Sequence, residues 1–179
     1  MILRAERVTL RPMREKDAKL IVEWRNDPAI RKWLFSDRTL TVESHLEWFR
    51  RPKPDRLDYV ICLREARRPI GTVSFTRIEP QEATAEVGIL LGDRTQWGEG
   101  LATETYRRWL PFGFRRLDLQ YIYGRTLSTN HRNIRKNLRL GFCVEKILRD
   151  EYRRGDEVHD VVVMGLRRED ARELGLLEG

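Results

Sequence analysis

The sequence predicts an α+β domain on one mixed sheet of about six to seven strands with flanking helices. Three observations predict it. Apolar residues keep a helical period through the first fifty positions, alternate between residues 59 and 91, and return to a helical period from residue 101. The alternating stretch divides into three runs joined by short polar turns, the pattern of an antiparallel meander. Helix, strand, helix and hairpin then follow in an order that a single mixed sheet accommodates.

Taken in order, Val8-Thr9-Leu10-Arg11 forms a short strand stopped by Pro12, which cannot donate to a ladder. Ala18, Ile21 and Trp24 share one helical face. Asp27-Pro28 starts a short helix, with an acid at the N-cap and proline at the first helical position, and that helix carries Ile30, Trp33 and Leu34. Thr41 caps the next helix, where Val42, Leu46 and Phe49 stand at i, i+4 and i+7 and Glu43 suits the positive end of the dipole. It ends before Pro52. The meander strands run over 59–63, 70–78 and 85–91. Leu101, Tyr106, Trp109, Leu110 and Phe114 face inward from a helix over 101–114. A strand over 121–127 precedes a helix over 130–140, which Gly141 ends in the C′ position. Two strands, 142–148 and 158–166, flank a turn at Arg154-Gly155-Asp156. One domain is expected over residues 1–170, with a short charged tail at 171–179.

Composition narrows the function classes. Five Trp, six Phe and five Tyr in 179 residues supply enough apolar surface to exclude a disordered chain. No apolar run approaches the roughly 18–20 residues that span a bilayer, so no membrane partner is expected. Met1-Ile2-Leu3-Arg4 lacks the apolar core of a secretory signal, which makes the cytoplasm the default location. Two cysteines, Cys62 and Cys143, are too few for a disulfide framework or a metal cluster, and both fall on strand patterns as buried small hydrophobes. No metal is expected. Lys and Arg outnumber Asp and Glu by 35 to 28, a net charge of +7. The signs are interleaved, as in Arg14-Glu15-Lys16-Asp17 and Arg167-Arg168-Glu169-Asp170, which marks a solvated surface more than a nucleic-acid stripe. A basic RNA- or ribosome-binding module is the alternative from a different class. The surplus itself favours an anionic small molecule.

The segment with most chemical content is Trp97-Gly98-Glu99-Gly100-Leu101-Ala102-Thr103-Glu104, directly after a strand and opening a helix. Small residues at 98, 100 and 102 allow close approach of a ligand, and unpaired N–H groups of the first helical turn favour an anion. This pattern suits a pyrophosphate. No Gly-Lys-Ser/Thr follows, so it is no Walker loop, and it follows a third meander strand, so it is no dinucleotide fingerprint. An ordinary glycine turn ahead of a helix is the plainer alternative.

With Gln96 included, this segment resembles the acetyl-CoA motif of the GNAT N-acetyltransferases in its RimJ/RimL-like form, with Trp97, Gly100 and Ala102 in the matching places. Asn130-His131-Arg132-Asn133-Ile134 with Leu140-Gly141-Phe142 resembles a second segment of that branch. Trp24-Arg25-Asn26-Asp27-Pro28 with His45-Leu46-Glu47-Trp48-Phe49 resembles acceptor-side helices of RimJ/RimL-like and PseH-type amino-sugar acetyltransferases, and Gly155 to Asp160 is similar to the closing hairpin. The matches keep the family's order over about residues 4–168.

The resemblance implies a GNAT fold and an acetyl-CoA-dependent acetyltransferase acting by direct attack of a primary amine on the thioester. Implied cofactor contacts are Ile89, Leu90, Leu91, Gln96, Trp97, Gly98, Glu99, Gly100, Leu101, Ala102, Asn130, Asn133 and Asn137. The pantetheine arm would pair with the strand ending at Leu91, at a bulge that Gly88 or Gly92 suits, and a backbone N–H of Ile89 or Leu90 would meet the developing oxyanion. Glu86 is the implied general base, although an outward charge on an alternating strand would read the same. Asn133 and Asn137 occupy places where relatives carry Ser or Tyr to protonate the leaving sulfur, and an amide has no proton to give there. Those two asparagines keep a second alternative open, a GNAT domain that binds coenzyme A without turnover. Implied substrate contacts are Trp24, Arg25, Asn26, His45 and His159, with Asp160 beside the last. The acceptor is either a small amine such as an amino-sugar nucleotide or a protein N-terminus, and the resemblance allows a homodimer.

Overall fold

The computed structural model of the protein describes residues 1–178. Its elements are β1 (Leu3–Arg4), β2 (Val8–Pro12), α1 (Ala18–Asn26), α2 (Pro28–Arg31), α3 (Val42–Arg50), β3 (Leu57–Leu63), β4 (Pro69–Glu79), β5 (Thr84–Leu91), α4 (Leu101–Arg116), β6 (Tyr121–Leu127), α5 (His131–Arg139), β7 (Cys143–Arg154), β8 (Glu157–Arg167) and α6 (Arg168–Glu173). The strands form one eight-stranded sheet in the order β1-β2-β3-β4-β5-β6-β8-β7. The fold is therefore α+β with a mixed sheet, and the strand beyond the expected seven is β1, two residues pairing Leu3 with Leu10 and Arg4 with Thr9. Two residues carry too little periodicity to announce a strand.

The chain divides into two compact units, residues 1–74 with 89–108, and residues 75–88 with the chain from 109 onward. In the first, β2 lies antiparallel to β3, with Val8 opposite Leu63 and Leu10 opposite Ile61. Val8, Leu10, Val60, Ile61, Ile70 and Val73 are fully enclosed in its core. Cys62 is buried with them, and that burial pushes its thiol up. Ile21, Trp24 and Ile30 form a cluster against which Leu90 and Trp97 pack. Asp27 accepts the Ala29 N–H at 2.8 Å to cap α2, but α2 stops at Arg31, so Trp33 and Leu34 lie in the turns beyond the short helix that was to carry them. Thr41 and Ser44 cap α3 reciprocally, each side chain accepting the other's N–H. Asp17 is buried; burial raises its carboxyl, but the Arg11 guanidinium at 2.6 Å and the Arg14 N–H at 2.9 Å more than offset that and hold it low.

In the second unit β5 runs parallel to β6 from Thr84 opposite Tyr121 to Glu86 opposite Tyr123, three of the eight residues of β5. The β6–β8 ladder is antiparallel over all seven residues of β6. Phe75 stacks on Trp109 at 4.8 Å, and Gly113 lets α4 approach that ring, since a Cβ there would sit 2.5 Å from Phe75 Cζ. Gly141, at φ +89°, ends α5 as expected. Cys143 departs from expectation: it is exposed, because β7 is the outermost strand of the sheet and Cys143 opposes only Gly165. The segment expected as a tail from 171 begins inside α6, where Ala171 is fully buried. No helix among the described residues is long and apolar enough to cross a membrane, and no three His, Cys, Asp or Glu among them gather as a metal site.

Candidate active site

In the first unit, β5 ends in a bulge. The Ile70 carbonyl accepts both the Gly92 N–H at 2.9 Å and the Asp93 N–H at 3.0 Å, so two residues of one strand face one of the other. Gly92 lies flat on the indole of Trp24, where a Cβ would come within 2.0 Å of the ring. Trp24, only 7% exposed, is thus a prop beneath the chain leaving β5 and no open acceptor contact. The turn is then braced from within. Asp93 accepts from Thr95 N at 3.1 Å and Thr95 Oγ1 at 2.7 Å, and also from Arg68. Trp97 Nε1 donates to the Leu91 carbonyl at 2.9 Å.

Beyond Trp97 the backbone opens. Gly98 and Gly100 take φ of +92° and +75°, a region that costs other residues about 1–2 kcal/mol. A Cβ on Gly98 would meet nothing within 4 Å, and one on Gly100 only Arg7 Nη2 at 3.7 Å. The first rung of α4 is Glu104 N–H to the Gly100 carbonyl at 3.1 Å, so the N–H groups of Leu101, Ala102 and Thr103 precede it at the positive end of the dipole. The Gln96 and Trp97 N–H groups, expected among the donors, are engaged by the Asp93 and Arg94 carbonyls at 3.1 and 3.2 Å. The available donors therefore begin at Gly98. These residues fit a diphosphate: open φ-positive glycines, unladdered amides and a helix N-terminus converge on one spot.

Arg7 is a member of this spot that sequence reasoning missed. Its N and Nε donate to Glu104 at 2.6 and 2.8 Å, and its Nη1 donates to the Glu99 carbonyl at 3.0 Å. Nothing local marks it, because its partners stand more than ninety positions along the chain.

Of the other residues expected at the acceptor side of this unit, Asn26 is fully engaged with the backbone: its Nδ2 donates to the Leu40 carbonyl at 2.8 Å and its Oδ1 accepts the Leu40 N–H at 2.9 Å. It ties the end of α1 to the loop before α3. His45 is 6% exposed and packs its ring 5.1 Å from that of Trp48. Burial and the nearby Arg25 guanidinium push His45 down, Lys53 and Arg56 adding to this and Asp58 opposing it. Ile89, Leu90 and Leu91 are half-buried along the end of β5.

The second unit holds the remaining candidates. Glu86 lies opposite Tyr123 with its side chain 19% exposed and Arg77 Nε 3.6 Å away, so it is no freely solvated charge. Asn130 caps α5, accepting the Asn133 N–H at 3.2 Å. Asn133 is half-buried, and its side-chain amide makes no hydrogen bond among the described residues. Asn137 is buried, with Nδ2 donating to Met164 Sδ at 3.8 Å and Oδ1 without a partner. The assignment of nitrogen toward sulfur is physical, since a thioether only accepts. Lys136, beside it, is pushed down by burial to about 7. His159 Nε2 lies 3.3 Å from Glu157 and its ring stacks on Tyr152 at 6.2 Å. Asp160 accepts the Asp150 N–H at 3.0 Å and Arg149 Nη1 at 2.5 Å, which hold its carboxyl low and brace the hairpin.

Comparison with known proteins follows the same lines. The family model described as an acetyltransferase (GNAT) domain matches residues 7–143. The chain is 28% identical over 169 residues to the uncharacterized N-acetyltransferase p20 of Bacillus licheniformis, covering 92% of this chain and 94% of that protein. It is 24% identical to the uncharacterized N-acetyltransferase YoaA of Bacillus subtilis, over 83% of this chain and 86% of that one. Among solved structures, spermidine N-acetyltransferase from Vibrio cholerae in complex with CoA and spermine superposes with a TM-score of 0.87 at 21% identity, covering 93% of this chain and 98% of that one. A GNAT-family acetyltransferase from Bacillus anthracis gives 0.81 at 21% identity, covering 94% and 99%.

Proposed function

Because the chain belongs to the GNAT acetyltransferases, we propose that it transfers an acetyl group from acetyl-CoA to a primary amine by direct attack, the acceptor being a small amine such as an amino-sugar nucleotide or a protein N-terminus. The observation that carries this reading is the turn at Gly98–Gly100, where two φ-positive glycines leave the approach to the N-terminus of α4 clear. Bound there, acetyl-CoA supplies an activated acetyl thioester. The N–H groups from Gly98 to Thr103 would hold its diphosphate, with the Arg7 guanidinium at the rim adding positive charge. The Ile89 or Leu90 N–H would supply the hydrogen-bond donor for the thioester carbonyl oxygen. Glu86 takes the proton from the acceptor ammonium so that a neutral amine attacks.

Asn130, Asn133 and Asn137 serve as cofactor contacts. An unpartnered amide oxygen buried at Asn137 costs about 1–3 kcal/mol, which a ligand N–H would recover. Neither Asn133 nor Asn137 can give a proton, so water protonates the departing sulfur, a good leaving group that needs little acid help. Two measurements test the reading. Coenzyme A should bind by calorimetry, and thiol should be released from acetyl-CoA in the presence of one member of a panel of amino-sugar nucleotides, polyamines and N-terminal peptides. Absent binding would refute the turn as the cofactor site. Binding without release across the panel would refute the transfer.

A further inference from the structure

Around Trp48 in the first unit the charges do not balance. Lys53 Nζ lies 4.3 Å from the centre of the Trp48 ring and donates to the carbonyls of Trp48, Phe49 and Arg51 at 2.9, 2.9 and 3.0 Å, which uses all three of its protons to close the end of α3. The Arg56 guanidinium sits 4.9 Å from the same ring and forms a two-pronged pair with Asp58 at 2.7 and 2.8 Å. The His45 ring lies 5.1 Å from the Trp48 ring, tilted 32° to it. Arg25, at the end of α1, makes no hydrogen bond and no ion pair among the described residues, although burial is the main influence on it. The charges that act on it are Arg56, which repels it, and Asp58, which Arg56 already holds. Arg25, Lys53 and Arg56 thus all act on His45, opposed by the single carboxylate of Asp58.

A guanidinium drawn out of water without a counter-charge is costly, and an acidic group on a bound ligand would offset that cost. The guanidinium fork matches a carboxylate or phosphate in shape, and a neutral imidazole beside it can add one donor. We infer that Arg25, together with His45 and the Arg56 guanidinium that rests over Trp48, forms a subsite for an acidic group of the acceptor, a carboxylate or a phosphate, so that the substrate is an amine that also carries an acid. The inference rests on the acetyl-transfer reading above and specifies its acceptor. It separates this chain from enzymes for polyamines, since a second ammonium placed here would meet like charge.

The test uses the whole protein saturated with coenzyme A, so that added anions do not report on the cofactor turn. Inorganic phosphate and succinate are the probes, read by thermal melting, and at least one should raise Tm in the wild type and fail to do so in Arg25→Gln. Which of the two acts identifies the acidic group. With acetyl-CoA, kcat/KM is then compared within pairs: glucosamine 6-phosphate against glucosamine, and β-alanine against propylamine. The acidic member of one pair should exceed its neutral partner and spermidine by at least tenfold, and Arg25→Gln should reduce that preference to less than twofold with coenzyme A affinity unchanged. Should Arg25→Gln not fold, Arg25→Lys, which keeps the charge but loses the planar fork, should lower the preference severalfold. No Tm shift with either anion in the wild type, or a preference that survives the substitutions, overturns the subsite. Loss of coenzyme A binding would instead strike at the acetyl-transfer reading.

Discussion

Replacing Gly92 with alanine drives a methyl group into the face of Trp24. The new carbon would lie 2.0, 2.1 and 2.4 Å from three atoms of the indole, where ordinary contacts begin beyond 3 Å. The ring cannot swing away, because it belongs to the Ile21–Trp24–Ile30 cluster and is 7% exposed. Chain and ring must therefore separate by about an ångström, and overpacking of this kind costs roughly 1–3 kcal/mol. For a domain of this size that lowers Tm by about 2–12 °C. The same displacement moves Leu90, Trp97 and the turn that follows, and a misplacement of that order can cost as much as a hundredfold at a site that depends on position. Calorimetry should show coenzyme A affinity falling at least tenfold, with differential scanning fluorimetry reporting the loss of Tm. Trp24→Leu combined with Gly92→Ala should be less destabilised than the two single changes added together, since the leucine makes room for the methyl. A Gly92→Ala protein with wild-type Tm and wild-type affinity would refute the role given to Trp24.

Gly100→Val should keep the fold, losing about 1–2 kcal/mol to its left-handed backbone, and should abolish coenzyme A binding by calorimetry; retained affinity would contradict the turn as the anion site. Glu86→Gln should lower kcat/KM most near neutral pH, and a rate ratio that stays constant from pH 6 to 9 would remove Glu86 as the base. Asn133→Ser changes a half-buried side chain without a partner among the described residues, so Tm should stay within a degree or two, and kcat should stay within about twofold because the sulfur needs little acid help; a kcat that rises severalfold would show that its protonation limits the rate. Lys136 binds its proton less tightly folded, at about 7, than unfolded, near the ordinary lysine value of 10.5, so stability should rise as pH climbs from 7 toward 10. Lys136→Met should flatten that rise in chemical denaturation, and an equal slope in both proteins would refute it.

The parts of this fold that could be read from the chain are those whose cause is local. Alternation marks β3 to β5 because each side chain's face is set by its neighbours two residues away, and Thr41, Asp27 and Gly141 signal helix ends through their own side chains or backbone freedom. The glycines at 98 and 100 are of this kind, so the turn stood out. Other features have causes that only folding supplies. Gly92 reads as a turn residue until Trp24, far back in the chain, is found against it. Glu86 alternates like a surface charge, yet its side chain is only 19% exposed and Arg77 of β4 lies 3.6 Å away. Cys143 has the apolar setting of a buried strand residue, but its strand is the last in the sheet and leaves it exposed. Arg25 is named only by the acceptor-side resemblance, whereas Arg56, the cation that repels it, comes from the loop after α3.

The clasp between Arg7 and Glu104 has an evolutionary consequence. One carboxylate accepts from the Arg7 backbone, the Arg7 side chain and the Val8 backbone, so losing the acid strands three donors, two of them on the main chain, while losing the guanidinium strands two acceptors, one Glu104 oxygen and the Glu99 carbonyl. Among descendants of this lineage, position 104 should therefore tolerate less drift than position 7, and the two should vary together although they stand 97 positions apart.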